Sequence, residues 1–89
     1  MRDIVFSSKI KKDLKLYLKR GLNLDPFYEV VLKIANGELL EPGNQDHPLH
    51  GKLVGKRDCH IEPDCVLIYS VNKKEVMLYR TCSHAVLYG

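Results

Sequence analysis

The sequence predicts an α+β fold with elements in the order β-α-α-β-β-β, two helices covering one face of a twisted antiparallel sheet. Three observations carry this. Apolar residues recur twice at helical spacing in the first half of the chain. After Gly51 the period changes to two. Cys65 to Val71 is a nearly unbroken apolar run, the pattern of a central strand. The 89 residues suffice for one core, so residues 1–89 are read as a single domain.

Arg2 to Phe6 reads as a short strand. Ser7 or Ser8 can cap the helix that follows, because a side-chain hydroxyl accepts from a free backbone N–H. Ile10, Leu14, Tyr17 and Leu18 then form one stripe, and Gly21 ends the helix. Asp25-Pro26 opens a second helix, Asp at the N-cap and Pro in the first turn, where its missing N–H costs nothing. Phe27, Val30, Val31 and Ile34 are its buried stripe, and Asn36-Gly37 stops it. Leu39 to Gly51 reads as a loop. Strands are expected over Lys56–Ile61, Cys65–Val71 and Glu75–Arg80, joined by turns at Glu62-Pro63-Asp64 and Asn72-Lys73-Lys74. Thr81 to Gly89 is a tail.

No stretch approaches the roughly 18 apolar residues a membrane span needs, and the N-terminus lacks a signal-peptide run. The expectation is a cytoplasmic protein with no membrane partner. Cys59, Cys65 and Cys82 are odd in number and read as reduced thiols. The net charge of +3 is uneven: Lys9 to Arg20 holds six basic residues against one acid, Asp13. Such a face suits a phosphate backbone or an acidic partner protein, although solvated helix faces also look like this.

All four histidines (His47, His50, His60, His84) lie in the second half, interspersed with Asp58, Asp64, Arg57 and Arg80. RNA can be cut without a metal when a base takes the 2′-OH proton, an acid protonates the departing 5′-oxygen, and a cation meets the charge on phosphorus. Imidazole suits both proton transfers because it titrates near neutrality. A guanidinium suits the phosphate because its fork matches two oxygens. A zinc site drawn from Cys59, His60, Cys65, Cys82 and His84 has poor spacing. Cys59 and His60 are adjacent and point to opposite faces, and no C-x2-C pair exists. No Cys carries a protease signature. No cofactor or metal is expected.

The stretches Asp46-His47-Pro48-Leu49-His50-Gly51, Arg57-Asp58-Cys59-His60-Ile61-Glu62-Pro63-Asp64, Leu67-Ile68-Tyr69 and Arg80-Thr81-Cys82-Ser83-His84-Ala85 occur in one order. Together they resemble the YafQ-type toxins of the RelE superfamily. The resemblance implies the RelE-like fold and an endoribonuclease that cuts mRNA in the ribosomal A site, so inhibiting translation. It also implies a cognate antitoxin that blocks the site. Family catalytic positions carry over to His47, Asp58, His60, Asp64, Arg80 and His84. His60 and His84 are assigned proton transfer with Asp64 in support, Arg80 the scissile phosphate, and His47 a substrate contact or shared acid–base duty. Tyr88 matches the family's terminal aromatic, and Arg57, Lys9 and Lys12 are read as RNA contacts. The basic helix is read as gripping ribosomal RNA, the antitoxin, or both. Cys65 stands where the family commonly has Trp, which puts nucleotide preference in doubt. The alternative is a non-catalytic RelE-fold module that inhibits by binding.

Overall fold

A computed structural model describes residues 1–21, 23–49, 51, 55–62 and 65–82 of the chain. Its strands are β1 (Asp3–Phe6), β2 (His47–Pro48), β3 (Arg57–Glu62), β4 (Cys65–Val71) and β5 (Glu75–Thr81). Its helices are α1 (Ser8–Lys19) and α2 (Asp25–Ala35), and a 3-10 turn spans Pro42–Asn44.

Ser7 is the cap of α1, its Oγ accepting from the Ile10 N–H at 3.0 Å. Ile10, Leu14 and Tyr17 are buried as expected, but Leu18 is 55% exposed. The fourth buried position is Asp13. At 3.6 residues per turn, Leu18 lies about 90° from the centre of the stripe that Asp13 completes. In α2 the N-cap is Leu24 rather than Asp25, with Pro26 just inside the helix. Capping comes from one residue further out, where Asn23 Oδ1 accepts from the Asp25 N–H at 3.0 Å. Gly37 ends α2 in the left-handed region (φ 75°). Its N–H donates to the Ile34 carbonyl, and the Glu38 N–H donates to that of Lys33.

The sheet order is β1-β5-β4-β3-β2. Neighbours are antiparallel except β1 and β5, which run parallel with Asp3 opposite Glu75 and Phe6 opposite Leu78. The two-helix connection carries β1 to the sheet's far edge, so the expected helices-on-sheet class holds with one parallel pair. The expected loop before β3 contains the 3-10 turn and the edge strand β2. Ile10, Phe27, Val31 and Ile34 from the helices pack on Cys59, Leu67, Val76 and Leu78. Val66 and Ile68, also 1% exposed, alternate with Leu67 and lie outside this cluster.

Cys65 and Cys82 form a disulfide, which corrects the expectation of three reduced thiols. The register explains the meeting: Leu67 lies opposite Thr81, and the Cys82 N–H donates to the Val66 carbonyl at 2.9 Å. Cys59 is free and fully buried. Burial pushes its thiol up to about 12, helped by the charges of Asp46 and Asp58. A raised folded-state value stabilises the fold below the ordinary thiol range, and that contribution is lost as pH rises through about 12. Tyr69 acts in the same sense, raised by burial and then by its bond to Asp46. Chemical denaturation between pH 8 and pH 12 is therefore expected to show falling stability, with a shallower fall in Cys59→Ala. An unchanged slope in that variant would contradict this account.

Candidate active site

The turn before β2 sets the site's first histidine. Gln45 adopts a left-handed conformation (φ 49°), and its carbonyl lies 2.7 Å from His47 Nδ1. The other ring nitrogen, Nε2, lies 3.1 Å from Asp58 Oδ1. Pairing of β2 with β3 places His47 directly opposite Asp58. The carboxylate side chain is 3% exposed and the imidazole 53%. The Gln45 carbonyl can only accept, so Nδ1 carries a proton toward it and Nε2 is the nitrogen turned toward Asp58.

Asp46, immediately before His47, is held by three donors. Tyr69 Oη donates at 2.7 Å, Arg57 Nε at 3.3 Å and Arg57 Nη2 at 3.2 Å. The bond to Asp46 outweighs burial and raises the pKa of Arg57. Arg57, predicted as an RNA contact, is thus committed to a protein carboxylate. Within β3 it points away from its neighbour Asp58.

His60 lies two residues beyond Asp58 on β3, hence on the same face. It is half-buried. Its carbonyl accepts from Asn44 Nδ2 at 2.7 Å, tying β3 to the 3-10 turn. His60 lines an open cleft of about 600 Å³ with Pro26, Val30, Lys33, Asn44 and Glu62. Tyr17 Oη donates to Glu62 Oε2 at 3.3 Å from α1.

The registers align these residues in one transverse row. His47 pairs with Asp58, Asp58 with Ile68, and Ile68 with Arg80. Neighbouring strands are about 4.8 Å apart, so β2 to β5 spans about 14 Å, comparable with a few nucleotides. A bulge follows, since Ile68 pairs with Arg80 and Tyr69 with Leu78, leaving Tyr79 without an opposite residue. Arg80 Nε and Nη2 bind Asp13 Oδ2 and Oδ1 at 2.8 and 2.9 Å.

Lys9 and Lys12 are exposed on α1, as are Lys11, Lys15, Lys19 and Arg20. Asp64, His84 and Tyr88 lie outside the described residues, as does His50. Among the described residues, no group of three or more His, Cys, Asp or Glu could hold a metal ion, and no helix is long and apolar enough to cross a membrane. Sequence reasoning passed over Asp13 and Asp46. For Asp13 a signal exists: the single acid of the basic run stands three residues after Ile10, inside the apolar stripe.

Residues 2–89 match the model of a family described as the bacterial toxin of type II toxin-antitoxin systems, YafQ. The mRNA interferase toxin YafQ of Escherichia coli K12 is 39% identical over 89 residues, covering 99% of this chain and 97% of that protein. In the crystal structure of the E. coli DinJ-YafQ toxin-antitoxin complex, the matching chain has a TM-score of 0.89 and 38% identity, covering 99% of this chain and 98% of that one. A metal-bound toxin from Helicobacter pylori has a TM-score of 0.91 and 40% identity, covering 99% of this chain and all of that one.

Proposed function

Because the chain belongs to the YafQ family of bacterial type II toxins, we propose that it is an endoribonuclease cutting mRNA in the ribosomal A site, and that a cognate antitoxin restrains it. The observation that carries this reading is the row His47–Asp58–Ile68–Arg80, with His60 beside Asp58. It supplies imidazoles, a carboxylate and a guanidinium along one stretch of sheet, the groups that transesterification at a phosphodiester requires.

In this mechanism a base removes the proton from a 2′-OH. The freed oxygen attacks the adjacent phosphorus, the P–O5′ bond breaks, and an acid protonates the departing 5′-oxygen. The products are a 2′,3′-cyclic phosphate and a 5′-OH. His60 and His84 transfer the protons, and Asp64 orients one imidazole. Arg80 meets the charge that builds on the phosphate. His47, held by the Gln45 carbonyl at Nδ1 with Nε2 turned toward Asp58, serves as a substrate contact rather than the base. Asp58 holds that ring. Tyr88 takes no part in the proton transfers and stacks on a base. The chemistry needs no metal, because every charge it develops has a protein partner.

The exposed lysines of α1, Lys9 and Lys12 among them, contact ribosomal RNA phosphates, which position without reading sequence. The same face, with Leu16 and Leu18 exposed at 60% and 55%, receives the antitoxin, so that inhibition covers the RNA surface. Because mRNA is the target, the toxin acts in the cytoplasm.

Mapping mRNA 5′ ends after induction tests the reading. New in-frame cleavage sites are expected, and their absence would favour a non-catalytic binder. Adding EDTA to a ribosome-free cleavage assay is expected to leave the rate unchanged. Strong inhibition would instead point to a metal mechanism.

A further inference from the structure

Asp13 is the acid among the buried residues of α1, otherwise Ile10, Leu14 and Tyr17. A carboxylate in such a stripe is costly unless its oxygens are satisfied. Here they accept from Arg80 Nε at 2.8 Å, Arg80 Nη2 at 2.9 Å and the Thr81 backbone N–H at 3.2 Å. The first two bonds are parallel and use both oxygens, the fork-to-fork arrangement that fixes a guanidinium plane. The third is a main-chain bond from the residue after Arg80, so Asp13 grips the strand as well as the side chain. These bonds hold the Arg80 guanidinium above its ordinary pKa.

The clamp consumes one edge of the guanidinium, Nε and one N–H of Nη2. The N–H groups of Nη1 and the outer N–H of Nη2 remain. Arg80's side chain is 20% exposed and Asp13's 6%, so solvent meets the pair from the arginine side. The bulge at Tyr79 lies immediately before Arg80, and β1 ends opposite Leu78. The backbone of β5 beyond Leu78 is therefore open to α1: Ser7 Oγ donates to the Tyr79 carbonyl at 2.8 Å, and Asp13 takes the next N–H on that side.

We infer that Asp13 is a positioning residue for RNA cleavage, fixing Arg80 so that its remaining N–H groups meet the scissile phosphate in one orientation. This rests on the role proposed above for Arg80. The negative charge of Asp13 offsets part of Arg80's attraction for a phosphate. The clamp therefore gives up ground-state affinity and gains direction, and its loss falls on the cleavage step more than on binding.

The test is single-turnover cleavage of mRNA on programmed ribosomes by Asp13→Asn, Arg80→Ala and the double variant. Asp13→Asn is expected to slow cleavage by roughly 10²-fold, with little change in the toxin concentration at half-saturation. In the Arg80→Ala background it is expected to cause no further loss. The Arg80 Nε–H NMR signal, slow to exchange in the wild type, is expected to exchange rapidly in Asp13→Asn. A wild-type rate in Asp13→Asn overturns the inference while leaving Arg80's role intact. An equal loss with or without Arg80 also overturns it, because Asp13 then acts through the fold. A wild-type rate in Arg80→Ala instead removes the proposed role of Arg80, and the inference with it. Should Asp13→Asn fail to fold, Asp13→Glu keeps the charge and displaces the guanidinium; slow cleavage by that folded variant supports the inference, and a wild-type rate overturns it.

Discussion

His60→Ala is expected to lower mRNA cleavage by ~10²–10⁴-fold, the usual contribution of one positioned acid or base, and to abolish growth arrest on expression. The fold should survive. His60 alternates with the core residues Cys59 and Ile61, and its contribution to the 3-10 turn is a backbone carbonyl that alanine retains. The melting temperature should therefore stay within about 4 °C of the wild type, as for a substitution outside the core. Growth-arrest assays paired with thermal melts decide the matter. Full toxicity in a folded His60→Ala would remove His60 from proton transfer. His84→Ala is expected to behave the same way. His47→Ala should cost less, since that ring is assigned a contact and not the base.

The second large effect concerns the fold. Phe27 is 1% exposed and sits in the cluster that joins α2 to the sheet. Truncation to alanine removes the ring and leaves a cavity, at a cost of about 3–5 kcal/mol. A small domain has about 5–15 kcal/mol of stability in total, so Phe27→Ala should lose a large part of it. Urea denaturation is expected to show a lower midpoint with an unchanged slope. A loss under 1 kcal/mol would mean that the helices are held by something other than this packing. Any partner that binds only the folded toxin should restore part of the loss by mass action.

Local features were the legible part of this sequence. The cap at Ser7 (one of two serines the sequence offers), the α1 stripe apart from Leu18, the α2 stripe through Phe27, and the β4 run from Cys65 to Val71 follow from near neighbours, and the structure has them in place. What sequence did not disclose depends on residues far apart in the chain. The parallel pairing of β1 with β5 joins Asp3 to Glu75. The Cys65–Cys82 bond follows from a register that spacing cannot show. Two residues, His47 and Pro48, are too few to display a period, so β2 read as loop.

For the site, the motif blocks brought His47, Asp58, His60 and Arg80 to attention, and the sheet registers show how they lie in relation to one another. Two carboxylates that bind arginines of the sheet were hidden. Asp13 looked like an interruption in a basic run, and its partner Arg80 is 67 positions away. Asp46 looked like one more loop acid until Tyr69 and Arg57 converged on it. A catalytic type is visible as a residue identity, whereas a positioning bond exists only once the strands have met.

The pairing of β1 with β5 also bears on the order in which this chain can fold as it is synthesised. β1 needs Glu75 to Leu78 beside it, and the start of α1 needs Tyr79 and Thr81 to satisfy Ser7 and Asp13. A nascent chain that has not yet released β5 therefore has neither its first strand docked nor its first helix anchored. Pairings between such distant segments carry a loop-closure cost that must be met before any contact forms, so the two ends of the chain are fixed together, in one late step of folding.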